Sequence, residues 1–146
     1  MAALVALHEG EDAARWATYW MREQPESVHV YRDEEGHLCG CLFALRLTAG
    51  GDASDDPAVR AAYAYMAGHT PLRPGETAVH FRFWMGHDHY QGLSPEQCLV
   101  FADTVRYYLT TAHLAWTFLP CAQPEMWDLV FRFVGLEQLP EAAYTS

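Results

Sequence analysis

The sequence predicts one α/β domain, a mixed and mostly antiparallel central sheet flanked by helices in the order α-β-β-α-β-α-β-α. Three observations carry that prediction. Segments with helical spacing of apolar residues alternate with shorter runs of strand character. The 146 residues suit a single domain, and about half of them are apolar, enough for a packed core. Sharp stop and start signals, chiefly Pro, Gly and capping residues, separate the segments.

Ala13, Trp16, Ala17 and Trp20 recur at helical spacing, so a helix is expected over Glu11 to Gln24, stopped by Pro25. Val28 to Arg32 and His37 to Leu47 read as a hairpin around the acidic turn "DEEG". Its second arm is nearly continuous in apolar residues, as in a covered central strand. Asp56 caps the next helix, with Pro57 at its first position and Gly68 near its end. Val59, Ala62, Tyr63 and Met66 form its buried stripe.

Glu76 to Met85 alternates, with Val79, Phe81, Phe83 and Met85 on one face and His80, Arg82 and Trp84 on the other. Ser94, Pro95 and Gln97 then form a capping box for a helix whose core stripe is Cys98, Phe101, Ala102, Val105 and Leu109. "LAWTFL", Leu114 to Leu119, is a short strand. Pro124 opens a last helix that turns Trp127, Val130, Phe131 and Val134 inward and ends at Gly135. A further strand is expected near Leu136.

The net charge of -10 argues against non-specific binding of nucleic acid or anionic membranes and favours neutral or cationic partners. All nine basic residues are arginine, which excludes a lysine Schiff base and a phosphate-loop lysine. Lys, Asn and Ile are all missing; their codons are A/T-rich, so a high-GC bacterial source is expected. With no signal peptide and no long apolar run, a cytoplasmic protein is the default. The four cysteines lack zinc-site spacing and read as reduced, buried thiols. His87 and His89 point the same way on a loop but have no third ligand at supporting spacing, so no metal is expected.

From Val28 to Tyr144 the hairpin, long strand, loop, capped helix, short strand, helix and "FRFVGLEQL" resemble the GNAT superfamily of acetyl-CoA-dependent N-acetyltransferases. The resemblance implies a cleft where two strands splay, with pantetheine on the strand edge and pyrophosphate on a helix N-terminus, whose free N–H groups and dipole favour an anion. Carried onto this chain, the binding residues are Phe83, Trp84 and Met85, then Gln91, Gly92, Ser94 and Glu96, and Trp116 on the partner strand. The ligand would be acetyl-CoA or another acyl-CoA, and the general base Glu76 or His80. The loop "GHDHYQGLSPEQ" departs from the family's glycine pattern, and Asp88 adds a negative charge. Phe131 stands where many members carry a proton-donating Tyr; nothing in the spacing of Tyr144 recommends it instead.

Two functions follow. One is an acyl-CoA-dependent N-acyltransferase of a small or cationic amine. The other is a catalytically inactive GNAT-like module for ligand sensing or protein interaction, including as a piece of a larger bacterial protein. A second copy closing the sheet edge, or a larger protein, is the expected macromolecular partner.

Overall fold

A computed structural model describes residues 1–51 and 55–144. The elements run α1 (Ala2–Glu23), β1 (Val28–Arg32), β2 (Leu38–Thr48), α2 (Pro57–Gly68), β3 (Thr77–Gly86), α3 (Pro95–Thr110), β4 (Leu114–Phe118) and α4 (Pro124–Phe133). The sheet has the order β1-β2-β3-β4; β1, β2 and β3 are antiparallel, and β4 runs parallel to β3. It is a mixed, open sheet covered on both faces by helices. The strand expected near Leu136 is not formed: that segment carries only a 3-10 turn at Pro140–Ala142.

Two cores lie on either side of the sheet. Cys41, Phe43, Leu45 and Leu47 of β2 face the core that holds Leu4, Ala13, Ala17 and Trp20 of α1 and Val59, Ala62 and Met66 of α2. Leu42 and Ala44 face the other core, with Val100 of α3 and Trp127 of α4. Period-two alternation along β2 thus feeds both layers.

Alternation along β3 breaks, contrary to the simple reading of its sequence. Val79, Phe81 and Trp84 lie in one core, while Ala78, Phe83 and Met85 lie in the other. Phe43 pairs with Phe83 and its neighbour Ala44 with Phe81, so Arg82 is an extra residue with no partner of its own on β2. This is a β-bulge, and it reverses the phase of everything beyond it.

Three helices also differ from expectation. α1 starts at Ala2 rather than Glu11, because Leu4 and Val5 bury with the core. Gly10 breaks its helical geometry at φ 89°, ψ 174°, a conformation that suits glycine and kinks the rod. On α3 the buried positions are Gln97, Val100 and Thr104. Phe101 is half-buried, but Cys98, Ala102, Val105 and Leu109 face outward, Leu109 at 81% exposure. Polar groups that bond to the loop, as Gln97 does, have taken the inward face. On α4 only Trp127 is fully buried and Phe131 packs beside it, whereas Val130 and Val134 are exposed. Among the thiols all four are free, with Cys41 buried and Cys98 exposed.

α1, α2 and β3 meet in one buried ion pair. Arg82 Nε donates to both carboxylate oxygens of Asp56, at 3.1 and 3.0 Å, and both side chains are 0% exposed. Asp56 also accepts from Trp20 Nε1 at 2.8 Å and caps α2 through Ala58 N at 3.1 Å. A buried charge without its partner carries a desolvation penalty of several kcal/mol. Asp56→Ala is therefore expected to lower unfolding free energy by about 3–5 kcal/mol in urea denaturation. A loss under about 1 kcal/mol, the range of an exposed pair, would show that the pair is not desolvated.

Candidate functional site

The parallel pairing of β3 with β4 runs from Thr77 opposite Leu114 to His80 opposite Phe118. β3 then continues to Gly86 while β4 ends at Phe118, so the pairing stops just before Arg82. A cavity of about 1000 Å³ opens beside the end of this pairing. Its walls include His80 of β3, Phe118 of β4, Phe131 of α4, Glu9 of α1, Tyr90 of the loop before α3, and Tyr144.

The kink at Gly10 follows Glu9 directly, where α1 meets the cavity wall. Glu9 Oε1 accepts from the Tyr90 hydroxyl at 3.0 Å, and Oε2 accepts from Arg82 Nη1 at 3.4 Å. Tyr90 is itself at positive φ, 49°, an uncommon geometry for a non-glycine residue. Behind this wall the Tyr144 hydroxyl accepts from Arg82 Nη1 at 3.3 Å, and its ring centre lies 5.3 Å from the guanidinium carbon. Arg82 therefore joins two carboxylates, Asp56 and Glu9, and a phenol.

Burial sets the protonation of these groups. It pushes the Glu9 carboxyl up, against the opposing pull of Arg82 and the Tyr90 hydrogen bond. It pushes Tyr90 up also, helped by the Glu9 charge, and raises Tyr144 to about 12. His80 is fully buried, and burial followed by the Arg82 charge lowers it to about 4. Neutral imidazole is thus the form present at pH 7, and its Nδ1 has no hydrogen-bond partner among the described residues. Its ring stacks near Phe118 at 6.0 Å.

Of the residues expected from sequence, His80 and Gln91 line the cavity. Gln91 stitches the loop to the chain after β4: Oε1 accepts from Ala122 N at 2.9 Å, and Nε2 donates to Pro120 O at 3.4 Å. Trp84 Nε1 donates to the same carbonyl at 2.6 Å. Phe83 and Met85 point into the core under α1 and α2. Trp116 donates to Thr70 O at 2.9 Å and packs on Tyr65 and Phe118. Glu76 sits before the opposite end of β3, accepting from Arg73 N at 2.9 Å.

The helix mouth is built from Gly92, Ser94 and Glu96. Gly92 N donates to His89 O at 2.6 Å, and a Cβ at Gly92 would come within 2.8 Å of that carbonyl, so glycine is required there. Ser94 caps α3 by accepting from Gln97 N at 3.4 Å. Gln97 does not return the bond as a capping box would; its Nε2 donates to Tyr90 O at 2.8 Å and braces the loop. Glu96 lies against Gly40 and Gly86, placing a carboxylate at the mouth. His87 is exposed and pairs with Asp88 at 2.8 Å.

Sequence reasoning missed Glu9 and Arg82 as site residues, found nothing to recommend Tyr144, and read Asp56 only as a cap. One signal was present: Arg82 is a lone cation within the apolar run "HFRFWM", and such a residue, once buried, demands an acid. Comparison with models of protein families, with curated proteins and with solved structures finds no match to this chain, so functional inference rests on the geometry.

His80 gives a signed pH dependence. It takes a proton near 6.5 when unfolded and only near about 4 when folded. Its contribution is present above pH 6.5 and lost as pH falls towards 4, a difference of about 3 kcal/mol. Glu9, raised above 4.5, acts in the opposite sense, contributing at low pH and less as pH rises. Urea midpoints of wild type and His80→Leu, compared at pH 7 and pH 4, are expected to show a smaller acid loss in the variant. Equal losses would mean that His80 accepts its proton in the folded state.

Proposed function

We propose that this is a GNAT-like acyltransferase-fold domain, acting as an acyl-CoA-dependent N-acyltransferase on a cationic amine in the cleft between β3 and β4. The observation that carries the proposal is a cavity beside the end of the parallel β3–β4 pairing, with a neutral, buried histidine in its wall. A volume of about 1000 Å³ is ample for the acyl and thioester end of such a donor. Acetyl-CoA or another acyl-CoA would supply the acyl group and a thiolate leaving group. The diphosphate fits less well at the α3 mouth, where Pro95 has no N–H and Glu96 repels anions.

The chain's own residues cover the remaining needs. Glu125, Asp128 and Glu137 line the cavity with Glu9, and their charge draws an ammonium inward. The ammonium gives one proton to the Glu9 carboxylate, which frees the nitrogen lone pair for attack, and gives a second to the His80 imidazole as the C–N bond forms and the C–S bond breaks. Tyr144 stays protonated to about 12 and holds a hydroxyl proton for the leaving sulfur. Phe131, on the cavity wall, has none to give.

The second reading, a ligand-sensing or interaction module without catalysis, is favoured by Glu96 at the helix mouth. Two measurements separate them. Acetyl-CoA at about 100 times its Kd should stabilise the fold by roughly 2.7 kcal/mol, read as a higher Tm. Amine-dependent release of free thiol should follow, reduced ~100-fold or more in His80→Ala, the lower range for losing a proton-transfer group. Stabilisation without thiol release would assign the sensing role. No Tm shift at millimolar acetyl-CoA would end the acyltransferase reading.

A further inference from the structure

Arg82 is satisfied on one edge only. Asp56 takes Nε at 3.0 and 3.1 Å, while Nη1 makes two long contacts, 3.4 Å to Glu9 and 3.3 Å to Tyr144. Charge-assisted bonds of this type are ordinarily about 2.7–2.9 Å. Nη2 is buried and has no partner among the described residues. The Nη1–Nη2 edge is the fork that matches the two oxygens of a carboxylate. Two residues earlier on the same strand, the equally buried His80 Nδ1 is also without a partner and lines the cavity.

What covers this fork is Tyr144, in the segment that follows Gly135, at φ 77°, lines much of the cavity and contains a single 3-10 turn. Its phenol lies over the guanidinium and supplies one weak acceptor. Glu9, the other occupant of Nη1, holds it only through a long contact of 3.4 Å. Glu125, Asp128 and Glu137 line the same cavity, Asp128 being paired with Arg132 at 2.9 Å.

We propose that Arg82 is the anchor for a ligand carboxylate, that Tyr144 stands where this carboxylate binds, and that the ligand is therefore an amino acid whose ammonium meets the acidic wall. The ammonium half rests on the amine-acceptor reading above; the carboxylate half does not. Binding requires Tyr144 to move aside, exchanging a neutral acceptor at 3.3 Å for a charged one.

Isothermal titration at pH 7 with γ-aminobutyrate, n-butylammonium and butyrate separates the two halves. γ-Aminobutyrate is expected to bind at least ~10-fold more tightly than either single-charge analogue, the return on one added charge-assisted bond. Tyr144→Phe removes the competing hydroxyl and should tighten γ-aminobutyrate several-fold while leaving n-butylammonium unchanged. Arg82→Gln should abolish the preference; if it fails to fold, Tyr144→Phe decides alone. Equal binding of γ-aminobutyrate and n-butylammonium, or no effect of Tyr144→Phe, would overturn the carboxylate anchor and leave the amine reading intact. Butyrate binding as tightly as γ-aminobutyrate would overturn the amino-acid class. Silence from all three probes in every variant would overturn the proposal, while the acetyl-CoA melting shift still judges the acyltransferase reading separately.

Discussion

The buried contact between Arg82 and Asp56 is the constraint on which the rest of this molecule depends. A guanidinium with 0% exposure has to be matched by a carboxylate brought from another element. Asp56 can serve because it is also the cap of α2, so its position is fixed by the first turn of that helix. Trp20 then ties α1 to the same carboxylate, and Glu9 brings the kinked start of α1 to the opposite edge of the guanidinium. The helical layer on this side of the sheet is registered through one charge. Apolar packing alone is tolerant of sliding; a carboxylate that must meet three donors is not.

Much of the fold was legible in the sequence, and where it was not the reason is physical. The hairpin, α2 with its Asp56 cap, and the strand–loop–helix unit around Ser94 all announce themselves through local chemistry: turn residues, caps and periodicity. The bulge in β3 does not, because an extra residue within an unbroken apolar run leaves the composition unchanged and alters only the phase. The inward face of α3 was misread for a related reason. Gln97 and Thr104 look like surface residues, yet both are buried, Gln97 Nε2 donating to Tyr90 O and Thr104 Oγ1 to Val100 O. The apolar row that looks like a core, Ala102, Val105 and Leu109, is left outside.

The site was less legible than the fold. His80 and Gln91 were reachable by following one strand and its loop. Glu9, Tyr90 and Tyr144 converge from positions far apart along the chain, and only folding brings them within hydrogen-bond reach of each other or of Arg82. Long-range convergence of this kind leaves no spacing to detect in a single sequence. The exposed faces of α3 and α4, with Leu109 at 81% and Phe133 at 89%, mark where the sheet's second layer is thinnest.

The bulge at Arg82 has a consequence for how the strand can change. Before it, odd positions of β3 face one core; after it, even positions do. Removing that one residue would restore the alternation between β2 and β3, and with it would vanish the guanidinium and the partner of Asp56. Regular strand and functional site are thus alternatives that differ by a single codon.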